Sequence, residues 1–143
     1  MRTAIFSFFG LFAFSFSFAT PLSAADHTKD TLDVVKKNLV EKKAVIVDVR
    51  SDKEWEAGHL EGAIHLPITE IEKVKEDKTA LTKLLADKLP KDKIIYVHCG
   101  AGGRAKKACT IGEASGFDLR GLKPGYQALV DAGLEKAKVE VKK

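Results

Sequence analysis

Cys99 follows the run Ile94-Ile95-Tyr96-Val97-His98 and is itself followed by Gly100-Ala101-Gly102-Gly103-Arg104. A thiol, three glycines and a guanidinium within six residues suit the handling of a small anion. A loop with three glycines curls tightly and leaves its backbone N–H groups unobstructed, and a helix N-terminus behind it adds positive potential. A thiol at the centre of such a cradle is expected to ionise with a pKa of roughly 3.5 to 7.5, and the thiolate is the nucleophile. Arg104 falls in the first helical turn, where it can fold back over the loop and bind an anionic substrate or leaving group. The bland alternative is a buried strand-end cysteine before an ordinary glycine turn.

The remaining reactive side chains carry less. Cys109 lies two turns into the helix that should follow the loop and reads as a small buried hydrophobe. A resolving cysteine is the sharper reading, but ten residues of loop and helix are expected to hold the two Cα atoms beyond the ~7 Å limit for a disulfide. His27, His59, His65 and His98 have no metal-ligand spacing, so no metal site is expected. His98 should point to the opposite side of its strand from Val97 and Cys99. Lys106 and Lys107 read as solvated helix residues that add positive potential near the site, and Trp55 and Tyr126 read as packing residues.

Elements that would position Cys99 alternate along the chain. Leu32, Val35 and Leu39 mark a helix from Thr31 to Lys42, and Ala44 to Val49 is a β-branched strand. Ser51-Asp52-Lys53-Glu54 fits a capping box that opens a short helix carrying Trp55, with Gly58 as its left-handed stop. Ala63 to Leu66 is a short strand ended by Pro67, and Glu70 to Leu89 reads as one helix stopped by Pro90. Ile94 to His98 is the clearest strand, apolar enough for the middle of a parallel sheet covered on both faces. Ala105 to Ser115 is helical with Gly116 as its stop, Phe117 to Leu119 is a strand, and Tyr126 to Ala132 is a helix stopped by Gly133. Such alternation predicts an α/β fold with a mostly parallel sheet, whose ligands bind beyond the carboxyl ends of the strands. Leu134 to Lys143 is mostly charged and is expected to fray.

The first 25 residues differ in kind from the rest. They hold one charge, Arg2, and seven of the eight phenylalanines, with a basic start, an interrupted apolar run and small residues at Ser23 and Ala25. This is the tripartite order of a secretory signal peptide cleaved after Ala25; the apolar run falls short of the ~20 residues of a stable span. The prediction is export, to a bacterial periplasm or out of the cell, with residues 26–143 forming a single domain of 118 residues. No membrane span is expected in it. Its 23 Lys and Arg against 20 Asp and Glu give +3, with lysines and acids interspersed, which argues against nucleic acid as a partner. It is expected to be a monomer.

Three segments carry a family resemblance. Val45-Ile46-Val47-Asp48-Val49-Arg50 with Glu54-Trp55-Glu56-Ala57-Gly58-His59-Leu60-Glu61-Gly62-Ala63-Ile64-His65-Leu66-Pro67 resembles the first signature of the rhodanese-like domain. Cys99-Gly100-Ala101-Gly102-Gly103-Arg104-Ala105 resembles its active-site loop, and Leu122-Lys123-Pro124-Gly125-Tyr126 its glycine-plus-aromatic motif. The resemblance implies a mostly parallel five-stranded sheet flanked by helices on both faces, and a sulfurtransferase that needs no cofactor. By it, Cys99 takes a sulfane sulfur from thiosulfate or a related small anionic donor, or from a protein. As a persulfide it then passes the sulfur to cyanide or a thiol, while loop N–H groups from Gly100 to Arg104 stabilise the sulfur. Asp48, Arg50 and His59 are implied as supporting residues, with Asp48 and Arg50 mainly in an internal polar network. The alternative is a non-catalytic or partner-fed sulfur-carrier module. Tyrosine phosphatases place five residues between Cys and Arg; here there are four, which favours sulfur over phosphorus. Gly100 stands where the family often has a larger residue, which predicts a more open or less rigid pocket.

Overall fold

A computed structural model describes residues 25–138. The predicted signal peptide therefore lies outside the described residues, apart from Ala25, whose amide donates to Thr110 Oγ1 at 3.1 Å. Among the described residues, no helix is long and apolar enough to cross a membrane.

The elements run α1 (Leu32–Val40), β1 (Ala44–Asp48), α2 (Asp52–Glu56), β2 (Ile64–His65), α3 (Ile68–Lys73), α4 (Lys78–Lys88), β3 (Ile94–His98), α5 (Gly103–Gly112), β4 (Asp118–Gly121) and α6 (Tyr126–Asp131), with a 3₁₀ turn at Glu113–Ser115. All strand pairs are parallel, in the order β2-β1-β3-β4. The sheet has four strands where five were expected. Beside β4 the position of a fifth is held by a single parallel bridge from His27 to Gly121, backed by Thr28 N–H to Gly121 O at 2.8 Å.

Strand alternation sends Val47, Val49, Ile95, Val97 and Cys99 to one face, where they pack with apolar residues of α3, α4 and α5. Ala44, Ile46 and Tyr96 go to the other face, against Val35 of α1 and Leu129 of α6. Helices thus cover both faces, as two buried faces of a parallel sheet require. The β1–β3 register sets Asp48 beside His98, both on the α1/α6 side, while Cys99, one residue on, faces α5.

Two expectations need correction. Residues 68–88 form two helices, not one. The second begins where Asp77 accepts hydrogen bonds from Thr79 N and Ala80 N, both at 3.0 Å, so a side-chain cap restarts the helix. The tail does not fray from its start. Leu134 packs on the α1/α6 core, and residues 135–137 run antiparallel to 59–61, with Glu61 N–H to Glu135 O and Ala137 N–H to His59 O both at 2.9 Å. Residues 139–143 lie outside the described residues.

Candidate active site

The apolar run of β3 ends at Cys99, at the carboxyl edge of the sheet and beside its centre. Gly102 adopts φ +90° and α5 begins at Gly103, so the chain reverses over Cys99 within three residues. Gly102 N–H donates to Cys99 Sγ at 3.0 Å. Among the described residues this is the loop amide that bonds the sulfur, while Gly100, Ala101 and Gly103 are exposed. Cys99 itself is only 1% exposed, so the sulfur lies under the loop.

The turn after β4 clamps that loop. Tyr126 N–H donates to Cys99 O at 2.8 Å. Gly125 lies so close that a Cβ on it would sit 1.7 Å from Gly100 O, and a Cβ on Gly102 would sit 2.7 Å from Lys123 O. His27 closes the other side, its Nε2 donating to Gly102 O at 3.1 Å. Gly125→Ala must push the two backbones apart. It is expected to lower stability by about 1–3 kcal/mol, as overpacking does, and to speed alkylation of Cys99. Urea unfolding and the rate of iodoacetamide labelling check both, and unchanged values in both would show that the turn does not hold the loop.

Arg104 does not stand free over the loop. Its Nη1 and Nη2 donate to Glu54 Oε2 and Oε1 at 2.7 and 2.8 Å, a bidentate pair. Glu54 is the third residue of α2 and also accepts from Ser51 N at 3.1 Å and Ser51 Oγ at 2.8 Å, completing the expected capping box. Arg104 above all, with the Ser51 bonds adding to it, holds the Glu54 carboxyl down at about 2. Arg104 is raised in turn, chiefly by Glu54 and further by the Cys99 side chain beside it. The space over Gly100 is taken by this pair: a Cβ there would meet Arg104 Nη2 at 3.1 Å and Glu54 Oε1 at 3.6 Å. The smaller residue therefore does not open the pocket. Lys106 and Lys107 are solvent-accessible helix residues, as expected, and form surface ion pairs with Asp26 and Glu72.

Asp48 and Arg50 support the site from beneath. The fully buried Asp48 carboxylate accepts from Arg50 N at 2.9 Å, Arg50 Nε at 2.9 and 3.0 Å, and Arg50 Nη2 at 2.6 Å. Arg50 Nη2 also donates to Gly58 O at 2.8 Å, and the guanidinium lies 4.0 Å over the Tyr126 ring. Since Tyr126 N–H holds Cys99 O, the pair reaches the nucleophile's backbone through one residue. His98 is fully buried with neither ring nitrogen hydrogen-bonded, 3.7 Å from Asp48 Oδ2, and burial lowers its pKa. His59 stays local: it stacks on Trp55 at 3.6 Å and bonds the Trp55 carbonyl at 3.1 Å. Among the described residues no three His, Cys, Asp or Glu side chains are placed to hold a metal ion.

Cys109 lies in the α5 core, its Sγ 3.4 Å from where a Cβ on Gly121 would be. Burial pushes its thiol from the ordinary 9.0 up to about 12. The native state keeps a proton that the unfolded chain releases, so its stabilising share is complete below about pH 9 and is lost as pH rises toward 12. Urea unfolding at increasing alkaline pH is expected to show a steeper loss in the wild type than in Cys109→Ala; parallel profiles would refute it.

Glu54, His27 and Lys123 were not singled out by sequence as site residues. Glu54 was legible only as a cap. Its second partner is 50 residues away and leaves no local signal.

The profile described as a rhodanese-like domain matches residues 31–132. The mitochondrial protein HIGH ARSENIC CONTENT 1 of Arabidopsis thaliana is 34% identical over 91 residues, which are 61% of this chain and 53% of that protein. A Bacillus subtilis protein named as a sulfur carrier, YrkF, is 32% identical over 72 residues, 50% of this chain and 33% of its own length. The chain thus spans about half and a third of these two relatives. The solved structure of the human single-domain sulfurtransferase TSTD1 superposes with a TM-score of 0.56 at 25% identity, covering 70% of this chain and 92% of that one.

Proposed function

The chain belongs to the rhodanese-like domain family, and on that premise we propose that it is a sulfurtransferase working through a Cys99 persulfide. The observation that carries the reading is the Gly102 N–H donated to Cys99 Sγ at 3.0 Å, a fixed donor aimed at the atom on which charge collects. The Cys99 thiolate attacks the outer sulfur of thiosulfate or another sulfane donor. In thiosulfate the S–S bond breaks, sulfite leaves with the electron pair, and the new S–S bond leaves a persulfide anion on Cys99. Cyanide or a thiolate then takes the terminal sulfur and restores the Cys99 thiolate, two half-reactions sharing one covalent intermediate. The export expected from residues 1–25 sets this chemistry in a bacterial periplasm or outside the cell.

A second reading is a carrier fed by a protein partner. Its support is the burial of Cys99 together with the pairing of Arg104 to Glu54, which leaves that guanidinium already occupied by an anion. Incubation of the purified protein with thiosulfate, followed by intact mass, separates the two. One added sulfur atom, removed by cyanide, supports the enzyme reading. No addition to a folded protein with free Cys99 overturns it in favour of the carrier.

A further inference from the structure

Arg104 is a cation beside the reactive sulfur, and it already has an anion. Both of its terminal nitrogens are used by one carboxylate, in the fork geometry that a sulfonate or phosphate would otherwise claim. The next cations on α5, Lys106 and Lys107, are paired as well. With its carboxyl held at about 2, Glu54 stays charged at any working pH. The pair is nevertheless displaceable, because the two side chains are 37% and 38% exposed, and ion pairs this accessible to water are weak. Glu54 is fixed in place from its other side by Ser51, so it remains the competitor when Arg104 swings away.

We infer that Glu54 is a specificity-determining residue, an internal carboxylate that competes with anionic sulfur donors for Arg104 and so biases the site against dianions and toward organic persulfides that carry no anionic group besides the persulfide itself. The inference rests on the sulfur-transfer reading above. Thiosulfate must displace Glu54 from Arg104 and then sit beside an uncompensated carboxylate. Such a persulfide, reacting in its protonated form, has no such requirement: Cys99 thiolate takes its terminal S–H sulfur, the donor S–S bond breaks, and the donor leaves as a thiolate, so atoms and charge balance with no co-reactant.

The test is single-turnover loading of Cys99, followed by intact mass, in the wild type and Glu54→Gln. The donors are thiosulfate and N-acetylcysteamine persulfide, whose organic half carries no charge. Glutamine keeps the capping box, and equal thermal midpoints confirm the fold; Arg104→Gln in the same assay shows whether the effect runs through Arg104. Glu54→Gln is expected to lower the half-saturating thiosulfate concentration about fivefold, the equivalent of one exposed ion pair. The maximal loading rate and the persulfide reaction should hold within about twofold, and Glu54→Gln should lose its advantage in the Arg104→Gln background. An equal change for both donors, or no fall for thiosulfate, overturns this role of Glu54 while leaving sulfur transfer intact. Failure of both donors to load both proteins overturns sulfur transfer itself, and the role of Glu54 with it.

Discussion

Cys99→Ser is expected to reduce sulfur uptake to less than about a thousandth of the wild-type rate, as loss of a covalent nucleophile does. The substitution keeps an acceptor for the Gly102 N–H and changes one atom, so the loop that closes over position 99 has no steric reason to reopen. What is lost is the sulfur nucleophile that attacks the donor; a hydroxyl in the same cradle does not do so near neutral pH. Cys109 cannot stand in. It is buried in the α5 core and its thiol is pushed up to about 12, so almost none is thiolate where the assay runs. Intact mass after exposure to thiosulfate or a persulfide should therefore show no added sulfur in Cys99→Ser and a full equivalent in Cys109→Ala. A sulfur adduct surviving in Cys99→Ser would remove Cys99 from the role.

The nucleophile and its setting were legible because their signals are local. The run Ile94 to His98, four of its five residues apolar, ends at Cys99 as a central strand, glycines follow at once, and a helical pattern resumes at Arg104. Periodicity alone places the thiol at the carboxyl edge of a parallel sheet. Ser51 and Glu54 were readable as a cap for the same reason, being three residues apart. What could not be read is whatever joins distant segments. Glu54 meets Arg104 across 50 residues, Gly125 meets Gly100 backbone to backbone, and His27 reaches Gly102 from the far end of the chain. The split between α3 and α4 is a different failure. Helical propensity is continuous from Glu70 to Leu89, and the single polar cap at Asp77 outweighs it. Charge misled the reading of the tail, where Glu135 and Lys136 turn their side chains to water while the backbones of Glu135 and Ala137 bond to residues 61 and 59.

Asp48→Ala is expected to destabilise the fold by about 3–5 kcal/mol, because it strands a charged guanidinium whose partner is gone. Arg50 is 5% exposed and gives Asp48 most of its donors, and Gly58 O and the face of Tyr126 cannot replace a carboxylate. The loss should appear as a thermal midpoint lower by about 10–20 °C for a domain of this size. Arg50→Met alone should do comparable damage by leaving Asp48 charged and buried beside His98, whose unpartnered nitrogens at 3.7 Å offer it little. The double variant Asp48→Ala/Arg50→Met removes both charges together and should recover most of the stability, since a buried ion pair is worth little more than apolar packing of the same volume. Its sulfur uptake then separates support from chemistry. Full uptake in the restored double variant makes the pair a strut that reaches Cys99 only through the fold, as its single link via Tyr126 N–H implies. A folded double variant that no longer takes up sulfur would instead make the pair a positioning element of the site, acting through the Tyr126 turn on the carbonyl of the nucleophile.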